Sequence, residues 1–486
     1  MTLRASLALF ATFLVVVLLG VTARRRFFHP LSRFPGPFWG SVTTLYQVYH
    51  YVRGSQGQSQ RELHQRYGPV VRFGPSHLII SDPTMLPEIY HMKTNKSDFY
   101  NSSLNEASQT VFSEKHNVAH IAARRSLAHV YSMANVKGME PQIQELIDKW
   151  VTRLCTHEEK PFAIRDRALW LAFDVLGIMA FGEPFGFVEE WTDIRTMLER
   201  ASKSTTSGAY LEIINRIPVL SRLATGTRLG RWLLLPSPTD KAGTGVLKAE
   251  RDAAWAKYFE RKPAGSDHCL LSQLLNKRTK LGQDALLSDD RIKAELLIAL
   301  LAGTTTTAAI ITSVLLNVAD REQYRMKLSS EIIAAHERNG GTVSYELGRS
   351  LIYLGACVQE AFRLSAAPTQ FPRLENSERE LNGVRLPRGT ILSSSSYIVA
   401  RNEGLYGSQL DEFIPERWID ASEETKKARR KYDFRFGYGA RTCLGKNLVE
   451  VEIHNAVFEV FRRTEVRVHN KAEGLVSLEL RQYNRM

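Results

Sequence analysis

The first hydrophobic block, Ala5 to Ala23 (ASLALFATFLVVVLLGVTA), contains no charged residue. At a helical rise it reaches roughly 28 Å, close to the thickness of a hydrocarbon core. Arg24, Arg25 and Arg26 follow, then the proline-rich stretch His29 to Pro37, where a helix cannot continue. Gly68 to Asp82 (GPVVRFGPSHLIISD) sets two β-branched runs about Gly74-Pro75 and predicts a hairpin. Tyr100 to Asn117 is polar and irregular, a predicted loop, and a helix opens at His120. From Val136 to Asp289 apolar positions recur with helical spacing, broken at Gly182-Glu183-Pro184 and Pro236-Ser237-Pro238. Ser288 and Asp289 cap a long apolar helix that runs to about Asp320. Another helix opens near Gly348, Val384 to Ser394 alternates as a strand, and Leu444 to Phe461 is the last helix. The pattern predicts a mainly α protein with small β-sheets (α+β), preceded by one N-terminal transmembrane helix. Its parts are an anchor (1–26), a proline-rich hinge (27–40) and one large domain (41–486).

Charge narrows the classes of function. Lys+Arg 64 against Asp+Glu 51 leaves +13, which suits nucleic acid, an anionic membrane face or an acidic partner. The excess is spread along the chain with no basic tail and no zinc-finger spacing, so no nucleic-acid partner is expected. Arginines directly behind the apolar block leave the remainder of the chain cytosolic. A signal peptide cleaved after Val21-Thr22-Ala23 is the rival reading. The run is long for one and its flank resembles a stop-transfer signal, so an uncleaved single-pass anchor in the endoplasmic reticulum membrane is expected. The sequons at Asn95 and Asn101 are then chance matches. Cys155, Cys269, Cys357 and Cys443 lie far apart and fit a reducing compartment.

Candidate chemistry concentrates in Phe436 to Asn447 (FGYGARTCLGKN). A phosphate-binding loop would need glycine where Ala440 stands and Ser or Thr where Asn447 stands. A dinucleotide fingerprint would need glycine in place of Thr442. Cys443 remains, either a buried structural thiol or a metal-bound thiolate. Gly439 and Gly445 allow a tight turn beside a flat ligand, and a following helix N-terminus favours thiolate. In the long helix, Ala302-Gly303-Thr304-Thr305-Thr306-Thr307 runs against helical propensity, which marks a functional position. His120 with Arg124, and Glu360 with Arg363, share helix faces; such pairs are by default solvated. The apolar flanks Leu354, Val358 and Phe362 argue that the second pair is covered and has further partners.

Phe436-x-x-Gly439-x-Arg441-x-Cys443-x-Gly445 resembles the haem-binding signature of the cytochrome P450 family, with every fixed position filled. The likeness runs from the anchor to about Arg463, and overall it is to fungal microsomal members that tailor secondary metabolites. It implies a cytochrome P450-like fold holding haem b, with Cys443 as axial iron ligand, Phe436 shielding the sulfur and Gly445 beside it. Arg441, His120, Arg124 and Arg373 would pair with the propionates. Ala302 and Gly303 would line a groove over the haem, and Thr306 matches the threonine that helps protonate bound oxygen. Thr305 stands where the family carries an acid; its hydroxyl can order water but bears no charge. Glu360, Arg363 and Arg417 would form a structural network behind the haem, and Ala367 and Thr369 would touch substrate. The implied activity is a monooxygenase acting on an apolar small molecule. O₂ is its co-substrate, and its electrons come from NADPH through a separate NADPH–cytochrome reductase. The basic run Lys426 to Lys431 suits that partner. Tyr210 to Leu235 fits core, pocket cover or membrane contact alike. A haem-thiolate isomerase, dehydratase or desaturase is the alternative that Thr305 raises, and a membrane-anchored binding protein without chemistry is a third.

Overall fold

The computed structural model describes residues 3–100, 108–157, 160–197, 213–234, 244–261, 268–281, 287–366, 370–381 and 383–481. Helix α1 (Leu3–Phe27) contains the first apolar block, and Leu9 to Leu19 along it are exposed. It stops before the prolines: Pro30 opens a 3-10 turn, Pro30–Arg33, and Pro37 precedes the short helix Phe38–Val42. Arg25 ties the end of α1 to that helix by donating to the Val42 carbonyl at 2.7 Å.

The expected hairpin forms. Strands β1 (Val70–Gly74) and β2 (His77–Ile80) pair antiparallel with Val70 opposite Ile80. Three further strands, β3 (Asn95–Lys96), β4 (Arg373–Leu374) and β5 (Ile391–Ser393), complete a sheet of order β1-β2-β5-β4-β3. The predicted strand from Val384 to Ser394 is in fact two. Val384–Leu386 pairs with Arg379–Leu381, and Gly389, at φ +89°, turns the chain before β5. In a second sheet Thr464–Asn470 and Leu475–Leu480 form a hairpin, to which Phe162–Ala163 adds a long-range pairing that local pattern does not announce.

The core is helical. Helices α2 (Asn117–Leu127), α3 (Met133–Thr156) and α4 (Ile164–Phe181) precede α5 (Asp289–Ala319), whose N-cap Ser288 accepts from the Arg291 amide at 3.3 Å. Leu296, Leu300, Ile311, Val314 and Val318 bury α5 against α4, itself almost entirely enclosed. Among the described residues, α5 is the helix long and apolar enough by composition to cross a membrane. Half of that stretch is buried in the fold, which identifies α5 as the core helix. The helix expected from Gly348 is broken at Leu351, whose extended backbone separates Tyr345–Ser350 from α6 (Ile352–Leu364). Helix α7 (Glu423–Lys431) carries the basic run, and α8 (Lys446–Arg463) follows Cys443 and packs on α3 and α5.

Candidate functional site

Cys443 ends a loop folded onto itself: its amide donates to the Phe436 carbonyl at 2.8 Å. Gly439 is required here, because at φ +70° an added Cβ would lie 2.5 Å from the Tyr90 carbonyl oxygen. Gly445 lies in the turn before α8, as expected, but at φ −73° and ψ 1°, which other residues adopt; an added Cβ would lie 3.9 Å from the Cys443 sulfur. The phenyl ring of Phe436 meets Phe362 of α6 edge-on at 5.2 Å and has Lys446 at 5.5 Å. Burial pushes the Cys443 thiol up, against the Gly445 and Lys446 amides and the charges of Arg124 and Lys446. The helix end alone therefore does not hold a thiolate, and a coordinated cation would. The side chain is nevertheless uncovered. Surrounding protein thus crowds the thiol without covering it.

A cluster of cations lies beside it. Strand pairing sets Lys96 of β3 directly opposite Arg373 of β4, like charges that destabilise one another when nothing intervenes. Both are buried, as is His120. Arg441 donates to the Glu114 and Lys115 carbonyls at 2.7 and 2.9 Å, and Arg124 to the Thr442 carbonyl at 2.6 Å. Burial, then Arg441, Lys96, Arg124 and Arg373, push His120 down to about 3, and its buried Nδ1 has no hydrogen-bond partner. Lys96 is likewise held well below its usual value by burial, Arg373 and Arg441. Glu114 is the carboxylate that faces the group, and it already accepts from the His116 amide at 2.9 Å. Four of these residues are expected from sequence. Lys96 is missed, because inside a sequon its lysine carries no signal; the register with Arg373 reveals it.

On α5, Ala302, Thr305, Thr306 and Ala309 are uncovered while Leu300, Thr304, Thr307, Ala308 and Ile311 are buried. That spacing is one helix face. Thr306 Oγ1 donates to the Ala302 carbonyl at 2.7 Å, so the strain of a threonine run is partly relieved within the helix. The Thr305 hydroxyl makes no such bond among the described residues. Gly303 is not on this face: an added Cβ would meet the Leu176 methyls of α4 at 2.9 Å. Its smallness lets two core helices approach, which corrects the expectation that it lines the groove.

The supporting network assembles as expected and is larger. Glu360, fully buried, accepts from Arg363 Nε and Nη2 at 2.8 Å and from Arg417 Nε at 3.4 Å. It also accepts from the Ile414 amide at 3.0 Å and Trp418 Nε1 at 2.8 Å, neither of which was foreseen. Arg363 further donates to the Ala400, Leu410 and Glu412 carbonyls. In the basic run, Arg429 is an internal strut to the Leu405 and Arg417 carbonyls, whereas Lys427, Arg430 and Lys431 are exposed. Ala367 and Thr369 lie outside the described residues, as do 210–212 and 235; the rest of the Tyr210 to Leu235 segment carries the short helices Pro218–Gly226 and Arg228–Leu234, with Val219, Trp232 and Leu233 exposed.

The residues present fit an iron porphyrin: an uncovered thiol at a helix start, an uncovered small-residue face on a core helix, and a group of basic side chains that form no ion pair among the described residues. Comparison with known proteins agrees. The family model for Cytochrome P450 matches residues 30–480. The chain is 30% identical over 440 residues to quiannulatic acid synthase of Emericella variicolor, covering 86% of this chain and 83% of that protein. It is 32% identical over 460 residues to cytochrome P450 monooxygenase gsfF of Penicillium aethiopicum, covering 90% and 88%. Cytochrome P450 monooxygenase ustC of Aspergillus flavus is 27% identical over 96% of this chain and 86% of its own length. This chain therefore belongs to the cytochrome P450 family, among monooxygenases of fungal secondary metabolism.

Proposed function

We propose that the protein inserts one atom of O₂ into an apolar secondary-metabolite intermediate, with electrons passed from NADPH by a separate reductase. The observation that carries this is the uncovered Cys443 thiol at the start of α8. Cys443 is the group to ligate iron, and Lys96, His120, Arg124, Arg373 and Arg441 the set to meet two propionates. A haem so held supplies reductive activation of O₂, with the thiolate pushing electron density toward O–O cleavage. The chain's own part is binding, exclusion of water and proton handling. Phe436 would shield the sulfur, and uncovered Ala302 and Ala309 would leave room along α5. The Thr306 hydroxyl, on exchanging its bond to the Ala302 carbonyl, is placed to pass a proton from water at Oγ1. Thr305 adds a hydroxyl without a charge.

In this reading α1 anchors the protein in the endoplasmic reticulum membrane, residues 27–40 join it to the domain 41–486, and the cytosolic face meets the reductase. Exposed Lys427, Arg430 and Lys431 support that side, since the Tyr438 hydroxyl of the cysteine loop donates to the Lys431 carbonyl at 3.1 Å. The test is the carbon monoxide difference spectrum of the reduced membrane fraction. A thiolate-type Soret band that Cys443→Ser abolishes is expected; a wild type without it refutes the reading.

Uncovered Thr305 favours one alternative, a haem-thiolate isomerase, dehydratase or desaturase that depends less on proton delivery. Isomerisation or dehydration would proceed without NADPH consumption. Thr305→Asp separates the two: a monooxygenase with a weakened relay turns over faster and with less peroxide, and an enzyme that needs no relay gains nothing.

A further inference from the structure

Glu295 lies on α5, 4% exposed, and has no part in the chemistry above. Its carboxylate accepts from the Val111 amide at 2.7 Å and from Arg291, one turn earlier, at 2.9 Å. Val111 sits in a turn closed on itself. The Thr110 amide donates to Ser113 Oγ at 2.9 Å, the Ser113 amide to Thr110 Oγ1 at 3.1 Å, and the Glu114 amide to the Thr110 carbonyl at 2.8 Å. The other side of this turn holds cations. Lys96 Nζ donates to the Phe112 carbonyl, and Arg441 spans the Glu114 and Lys115 carbonyls at 2.7 and 2.9 Å. The Lys96 amide also donates to the Lys115 carbonyl at 3.1 Å. A single carboxylate of the core helix thus fixes the turn on which two of the five clustered basic residues hang. Such a link has a cost: burial pushes the Glu295 carboxyl up to about 7, despite Arg291 and the Val111 amide. Nothing in the packing of α5 requires an acid there, since its neighbours on the same stretch are Ile292, Leu296 and Leu297.

We infer that Glu295 is a positioning residue for the haem, pinning the 110–115 turn to α5 so that Lys96 and Arg441 present their charges to the propionates. This rests on the haem reading of the site. It names a role for a residue that touches neither haem nor substrate.

The test uses the purified full-length chain and compares Glu295→Ala with Glu295→Gln, which keeps an oxygen acceptor. Two rates are read: amide hydrogen exchange across 110–115 in haem-free protein, and haem transfer from loaded protein to excess apomyoglobin. Loss of a hydrogen bond to a charged acceptor predicts both to be about ten- to a hundredfold faster in Glu295→Ala. Glu295→Gln recovers most of that protection. The Soret band of loaded Glu295→Ala remains thiolate-type until haem leaves, because Cys443 is untouched. Unchanged exchange in Glu295→Ala overturns the pinning, and so does acceleration spread evenly over the molecule. Faster exchange with unaltered haem transfer overturns the link to haem. A wild type that takes up no haem refutes the site reading itself, whereas a loaded wild type with a normal Glu295→Ala variant refutes the pinning alone.

Discussion

Glu360→Ala is the substitution whose cost can be worked most directly from geometry. It removes a fully buried carboxylate that satisfies five donors: two from Arg363, one each from Arg417 and Trp418, and the Ile414 amide. Counting each lost bond separately, at about 1.5–3 kcal/mol, would amount to the whole stability of an ordinary protein. The Arg363 guanidinium, 1% exposed, keeps the Ala400, Leu410 and Glu412 carbonyls, which limits the loss. Breaking one side of a buried ion pair costs about 3–5 kcal/mol. With an unfolding entropy of about 2.1 cal/mol/K per residue, a 486-residue chain shifts its midpoint by roughly 1 °C per kcal/mol. A fall of about 3–5 °C is expected for Glu360→Ala at fixed scan rate, and about half that for Glu360→Gln, which retains an oxygen for Trp418 and Ile414. The effect reaches the site through α6: Phe362, two residues on, holds Phe436 at 5.2 Å, and Arg435 lies 5.5 Å from the Phe362 ring. The carbon monoxide band of Glu360→Ala should therefore drift toward the thiol type on warming, earlier than in wild type. A variant that melts within 1 °C of wild type and keeps its band would show that the network is neither buried nor connected as described.

Other changes discriminate among roles. Thr306→Ala should leave stability within about 1 kcal/mol, since it loses a bond internal to the helix. It should also divert reducing equivalents to peroxide; equal coupling of NADPH to product removes Thr306 from proton transfer. Gly439→Ala combines φ +70° with contact at 2.5 Å to the Tyr90 carbonyl oxygen. It should cost about 1–3 kcal/mol and lower haem content, whereas a wild-type melt would mean the loop relaxes freely. Glu452 is 2% exposed with Oε1 unpartnered, and burial raises its pKa to about 8. Because the folded value lies above the unfolded one, wild type loses stability as pH rises from the unfolded value through about 8. Glu452→Gln should gain on wild type by several kcal/mol over that window and then level off; a difference independent of pH rules this out.

The parts of the fold legible in sequence are those whose signal is local. The β1–β2 hairpin was bounded by Gly68 and Asp82 and turned near Gly74-Pro75, and α5 carried its own cap at Ser288. Elements fixed by distant partners were not legible. Strands β3 and β4 are two residues each: β4 exists because β5 offers an edge, and β3 because β4 then does. The break at Leu351 leaves no mark in an otherwise helical stretch. Gly303 broke helical propensity as expected of a functional position, yet its reason is Leu176 across the helix interface. Propensity shows that something overrides it; only packing says what.

The site divides along the same line. Cys443, Arg441 and Phe436 sit in one continuous loop and are read together, as are Glu360 and Arg363 on one turn. Lys96 and Glu295 come from segments 199 residues apart and meet only through the turn between them, as the bonds from Lys96 to the Phe112 carbonyl and from the Val111 amide to Glu295 show. Neither carries a motif. What singles them out is cost: a buried lysine set opposite a buried arginine, and a buried carboxyl raised toward neutrality, are states a chain abandons unless something offsets them. For Lys96 and Arg373 the rings of Tyr100, Phe112 and Tyr90 supply part of the offset, and on the haem reading the propionates would supply the rest. For Glu295 it is the fixed position of the turn that carries two of those cations. On the haem reading, one bound group would account for the buried basic residues on one side of the 110–115 turn and, through the turn, for the buried acid on the other.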